Sequence, residues 1–212
     1  TGQAIIVEWD KIKDNPPPQM KVSPIAAIPH KSKAFRSILD LSFSLRLQDG
    51  TKLPSVNDST TKTAPAGAIN QLGHALQRVI HAFAEATEDD KIFMAKWDIK
   101  DGFWRLDANE GDEWNFAYVL PQPPGEPIKI VIPTSLQMGW VESPPYFCTA
   151  TETSRDIATT YCETEIGTLP SHKFDKHVSE NDATRELPDT PLTNKRMRYL
   201  IEVYVNDFMA IV

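Results

Sequence analysis

Cysteine is scarce, with only Cys148 and Cys162 in 212 residues. Two thiols do not make a disulfide framework, so reduced cysteines of an intracellular protein are the expectation. Long apolar runs are missing as well. None approaches the roughly 20 residues that a membrane span needs. The first residues lack the charged-then-apolar pattern of a secretory leader. No membrane partner is expected, and a cytoplasmic or nuclear location is. A net positive charge is the third absence: the formal net charge is -7, which over the whole chain argues against nucleic acid. The distribution changes that reading. Residues 11–52 carry eight Lys/Arg against three acids, whereas residues 151–193 carry nine acids against four bases. A basic N-terminal part can meet phosphates while an acidic segment dominates the total.

What is present is ordinary for a globular protein: 41% hydrophobic and 24% charged residues. The first residue is Thr1, and Val212 ends inside an apolar strand-like run, so the sequence reads as a piece of a longer chain. Ala4-Ile5-Ile6-Val7 is a short apolar run, and Asn15-Pro16-Pro17-Pro18 is a rigid linker. Residues 1–19 form an N-terminal extension or linker on this reading. Val22 to Pro29 and Phe35 to Leu41 predict two strands of a hairpin, with His30-Lys31-Ser32-Lys33-Ala34 as its basic tip. Asp49-Gly50 and the run from Pro54 to Pro65 predict loop.

A helical period starts at Ala66, with Ile69, Leu72, Gly73, Leu76, Val79, Ile80 and Phe83 on one face. His74 and His81 on that helix are expected to be structural. Residues 20–92 form one region of the chain and residues 93–212 the next. Ile92 to Trp97 is a mostly apolar strand that delivers Asp98. Trp114 to Leu120 and Ile128 to Ile132 predict a strand-loop-strand unit. Ser143-Pro144 predicts a helix start, and that helix is expected to carry Phe147, Ala150, Ile157, Ala158 and Tyr161. Residues 164–194 are polar, acidic and Pro-containing, and predict a mobile insertion. Cys162, His172 and His177 share no recognised zinc spacing.

The chemistry concentrates at two places. Asp98 follows one strand. Tyr204-Val205-Asn206-Asp207 lies between two apolar runs and predicts a hairpin with Asn206-Asp207 at its turn. Neighbouring strands would make these acids converge. Convergent carboxylates are what oxygen-seeking Mg²⁺ requires.

Five segments in order carry a resemblance. Ser23-Pro24 to Lys31 with Phe35-Arg36-Ser37-Ile38-Leu39-Asp40-Leu41-Ser42 is the first, and the helix from Ala66 the second. Asp98-Ile99-Lys100-Asp101-Gly102-Phe103, Leu136-Gln137-Met138-Gly139-Trp140-Val141-Glu142-Ser143-Pro144 and Tyr204-Val205-Asn206-Asp207 follow. The ordered set resembles the fingers and palm of reverse transcriptases, the RNA-directed DNA polymerases of retroelement polyproteins. The match covers about residues 20–160 and 197–212.

The resemblance implies an α+β fold: a polymerase palm, with a small antiparallel sheet backed by helices, and partial fingers. The thumb and any RNase H domain would lie beyond this sequence. It implies nucleotidyl transfer from a dNTP to a primer 3′ end on an RNA or DNA template, with two Mg²⁺ ions and Mn²⁺ as a substitute. Asp98, Asn206 and Asp207 stand at the catalytic positions. Asp98, the Ile99 carbonyl and Asp207 would be the metal ligands. Arg36 and Lys31 would grip the triphosphate. Phe103 would lie under the sugar, or simply pack in the core. Asp101 would hold the nucleotide or cap a turn. Met138-Gly139 would stand near nucleotide and template.

The sequence departs from the family pattern in two ways. Gln137 stands where Pro is usual. Asn206 stands where the family has an aspartate that holds both metals. An amide carbonyl lacks the charge and the bridging capacity of a carboxylate, so Mg²⁺ binding is expected to weaken sharply. The resulting alternative is an inactive relic that binds primer–template duplex.

Overall fold

The computed structural model describes residues 2–31, 34–88, 92–163 and 200–211. The acidic segment expected to be a mobile insertion, with its His172 and His177, lies outside the described residues. The strands before the central helices are β1 (Ala4–Glu8), β2 (Ile25–Pro29), β3 (Phe35–Leu39), β4 (Leu45–Arg46) and β5 (Lys52–Leu53). Helices α1 (Val56–Ser59), α2 (Ala66–Gln71) and α3 (Ala75–Ala84) follow. Then come β6 (Met94–Asp98), β7 (Tyr118–Leu120), β8 (Lys129–Pro133), α4 (Ser143–Glu163), β9 (Leu200–Tyr204) and β10 (Asp207–Ile211). The fold is mixed α and β, with small antiparallel sheets and few helices, consistent with the α+β class. Among the described residues, no helix is long and apolar enough to cross a membrane.

Two compact units divide the chain: Thr1–Leu72 with Ile99–Ala150, and Gly73–Asp98 with Thr151–Val212. The first unit holds an antiparallel sheet of order β1-β8-β7. Its central strand reads Lys-Ile-Val-Ile-Pro, and the three aliphatic residues are all buried, as befits a strand covered on both faces. Ala117, Ile130 and Ile132 form a core against Val7, Trp9, Met20 and Trp114. The N-terminal segment thus supplies an edge strand and part of this core. A second core joins Leu41, Val56 and Phe116, with Leu39, Ala108 and Trp140 packed on it.

β2 and β3 form the expected hairpin, from Ile25 opposite Leu39 to Pro29 opposite Phe35. Asp49-Gly50 is a turn, as expected, whereas the run from Pro54 to Pro65, expected to be loop, contains α1. β4 and β5 pair around Asp49-Gly50, where Asp49 Oδ1 accepts the Thr51 N–H at 2.8 Å. That backbone bond holds the Asp49 carboxyl below its ordinary pKa. α1 forms because Ser55 and Asp58 make a reciprocal capping box, with Asp58 N donating to Ser55 Oγ at 2.9 Å and Ser55 N to Asp58 Oδ2 at 3.2 Å. Trp114 does not begin a strand. Asp112–Phe116 is a 3₁₀ turn, and only Tyr118–Leu120 pairs with β8.

The second unit is built on an antiparallel sheet of order β6-β10-β9, with α3 packed on β9. The predicted long helix is broken by a 3₁₀ turn at Leu72–His74. Its predicted apolar face is only partly used. Ala75 and Val79 are buried, but Leu76 is 64% and Ile80 59% exposed. The helix packs on β9, and among the described residues of this unit Leu76 and Ile80 remain largely uncovered. β6 is similarly more exposed than its composition predicts, with Trp97 at 50%, because it is an edge strand. α4 starts where Ser143-Pro144 predicts; its Phe147 is buried, while Ile157 and Tyr161 face solvent.

Candidate active site

In the second unit, β6 and β10 are neighbours, and their register sets Asp98 opposite Asp207. β10 also pairs with β9, where Tyr204 stands opposite Asp207. That pair closes a two-residue loop of Val205 and Asn206. The turn therefore lies one residue earlier than the sequence predicts, and Asp207 begins the strand. The shift has a cost, since Val205 takes φ 57, a left-handed conformation that a β-branched side chain resists. Backbone strain of this kind is worth about 1–3 kcal/mol and is often found at functional turns.

The side chains at this tip are already engaged with one another. Asn206 Nδ2 donates to Asp98 Oδ1 in a short contact. Lys96 Nζ lies 3.1 Å from Asp207 Oδ1. Strand alternation puts Lys96 on the same face as Asp98, two residues away, and diagonally across from Asp207. Sequence reasoning missed Lys96, although its spacing from Asp98 was the available signal.

Two divalent ions, as the resemblance implies, do not fit this residue set. Among the described residues, no three His, Cys, Asp or Glu side chains are grouped to hold a metal. The tip offers two carboxylates. One accepts an amide N–H and the other pairs with an ammonium, so the charge available to cations is a single net negative.

Behind the tip, a buried ionic cluster fixes β9. Glu202 is 2% exposed, and Arg78 of α3 grips it with two N–H bonds, Nη2 to Oε2 at 2.6 Å. Arg155 of α4 lies 3.7 Å from Glu202 and 2.6 Å from Glu152 Oε2. The Arg155 contact is an ion pair without hydrogen-bond alignment, because Glu152 Oε2 has no hydrogen-bond partner. Burial pushes the Glu152 carboxyl up, against the pull of Arg155 and Arg78. The bond to Glu202 raises the pKa of the Arg78 guanidinium further.

The residues expected to face the nucleotide belong to the first unit. Lys31 is exposed at the end of the β2–β3 hairpin, and Arg36 is exposed on β3. The Arg36 guanidinium meets Met138 Sδ in a short contact. Gly139 has φ 100, which explains glycine there; an added Cβ would meet nothing closer than Leu39 O at 3.5 Å. Ile99 is half-buried. Asp101 takes φ 61 at the start of the 3₁₀ turn Gly102–Arg105, a turn-forming role that Asp tolerates. Phe103 is half-buried and packs edge-to-face on Phe147 at 5.2 Å between centroids.

The loop carrying Met138-Gly139 is held in part by Asn57 and Thr60, which carry no sequence signal. Asn57 Nδ2 donates to Gly139 O at 2.9 Å and to Ser42 Oγ at 2.8 Å, while Asn57 Oδ1 accepts the Val141 N–H at 3.1 Å. Trp140 Nε1 donates to Thr60 Oγ1 at 2.9 Å. Buried Glu142 accepts the backbone N–H groups of Thr63 and Ala64 at 2.8 and 2.9 Å. Gln137, in place of the usual Pro, is buried and donates to Ser135 O at 2.8 Å. The sequence matches no protein-family model and no curated protein.

Proposed function

We propose that the chain is the fingers-and-palm part of an RNA-directed DNA polymerase of the retroelement kind. We propose further that Asn206 leaves it a binder of primer–template duplex rather than an active nucleotidyltransferase. The ordered motifs motivate the family reading. The observation that carries it is the β6–β10–β9 register, which joins the Asp98 motif to the Tyr204–Asp207 motif. A polymerase palm is such a small antiparallel sheet with helices behind it. Exposed Arg36 and Lys31, with Met138 and Gly139, are the groups that would meet a dNTP and the template strand. A thumb and an RNase H domain would be the partners of such a fragment in its polyprotein.

The binding reading is favoured by the tip itself, where the amide of Asn206 and the ammonium of Lys96 take up the carboxylates. The test has two arms. A labelled RNA–DNA hybrid titrated with this chain should bind, and binding should weaken at least tenfold between about 50 and about 200 mM salt as phosphate contacts are lost. Absence of binding at low salt rejects the duplex-binding reading. Primer extension, run on the chain joined to a reverse-transcriptase thumb, should be silent with Asn206 and appear with Asn206→Asp. Silence of both forms in that fusion, together with no hybrid binding, rejects the polymerase reading.

A further inference from the structure

Asp98 and Asp207 face each other across an antiparallel register. Like charges in that position repel and destabilise the pair of strands. A polymerase tip would offset this with divalent cations, but the residues here do not suit two such ions. Two groups of the chain itself stand in the same places. Asn206 Nδ2 donates to Asp98 Oδ1, and Lys96 Nζ lies 3.1 Å from Asp207 Oδ1.

We propose that Asn206 and Lys96 are built-in counter-groups that hold the tip together without a divalent cation and keep such a cation out. Both contacts stay within one unit and involve adjacent strands. Asn206 contributes a donor where an acid would contribute a third negative charge. Lys96 contributes the one positive charge that a bound ion would have to displace. Either substitution, Asn206→Asp or Lys96→Met, makes the tip one unit more negative and removes a donor. Each should therefore turn a cation-indifferent hairpin into a cation-dependent one. The name of the ancestral site rests on the polymerase reading; the neutralisation rests only on the register and the two contacts.

The experiment compares the unaltered chain, Asn206→Asp, Lys96→Met and the double variant. Manganese binding is followed by electron paramagnetic resonance, and thermal unfolding is measured in Mg²⁺ and in NaCl of equal ionic strength. The unaltered chain should show no saturable Mn²⁺ binding in the millimolar range and the same Tm in both salts. Asn206→Asp should bind Mn²⁺ at least about tenfold more tightly, following the ligand charge count. Lys96→Met should add about fivefold, the effect of one charge a few ångströms away in water.

In both single variants, Tm should be higher in Mg²⁺ than in NaCl. Saturable submillimolar Mn²⁺ binding by the unaltered chain would overturn the proposal. So would a Lys96→Met variant that folds and stays indifferent to Mg²⁺, a result that holds even if Asn206→Asp fails to fold. Loss of the duplex-binding result would instead count against the polymerase reading, because no nucleic acid enters these measurements.

Discussion

The two ionic clusters on the β9–β10 hairpin use the same chemistry under opposite solvation. At the tip, Lys96 and Asp207 pair with side chains 60% and 33% exposed. On β9, Glu202 is buried, and Arg78 meets it with a two-pronged grip. Water screens the first pair and makes it weak. In the second only the Glu202 carboxylate is shut off from water, with its side chain 3% exposed against 32% for Arg78, so that buried charge depends on its partner. The same kind of pair is thus adjustable at the tip and obligatory behind it. A hairpin whose rear is pinned by α3 and α4 can present a strained, polar turn without fraying.

Breaking the buried pair should have the largest effect. Arg78→Ala leaves the Glu202 carboxylate without its main partner and should cost about 3–5 kcal/mol in urea unfolding. Replacing both partners by apolar residues, Arg78→Met with Glu202→Leu, should recover most of that loss. A double variant as unstable as the single one would mean that the ions specify the packing as well as neutralise each other.

A neutral cluster gives the intermediate scale. Asn57→Ala removes three hydrogen bonds, two of them to the Gly139 loop and one to Ser42 Oγ. It should cost about 1–3 kcal/mol, and the Val141 amide should lose protection in hydrogen exchange.

Glu152 tests the buried cluster through pH. Its carboxyl is raised by burial, so the folded state holds the proton more firmly than the unfolded chain does. Its contribution is then fully present below the ordinary carboxylate range and is lost as pH rises through the folded value. Glu152→Gln should flatten that decline, stabilising the protein more near pH 8 than near pH 4. An unchanged pH profile would show that Arg155 compensates the charge completely. The smallest stability effect belongs to the tip: Lys96→Met should change unfolding by less than about 1 kcal/mol at moderate salt. A loss as large as that of Arg78→Ala would erase the distinction between exposed and buried pairs.

Local signals made much of the fold legible. The β2–β3 hairpin, the β9–β10 hairpin and the start of α4 follow from alternation, turn residues and Ser-Pro chemistry, all of which act over a few residues. The errors arose where burial was inferred from hydrophobicity alone. Leu76, Ile80 and Trp97 are apolar and exposed, because periodicity marks a face but not what will cover it. Prolines concealed α1, which depends on the Ser55–Asp58 box. At the tip, Asp98, Asn206 and Asp207 were identifiable from residue type and order. The turn position was off by one residue, because the Tyr204–Asp207 register fixes it and Val205 accepts the strain.

The sequence by itself determined which polar and charged groups are on offer: the two aspartates, the asparagine in the turn and the basic hairpin. It did so because residue type and short-range pattern are local properties. Only the tertiary structure decided what those residues touch. It brought Asp98 to Asn206 across 108 positions and Arg78 to Glu202 across 124, and it set Asn57 under the Gly139 loop. Strand order and helix packing choose such partners through the burial of surfaces far apart in the chain, and no local pattern encodes that choice.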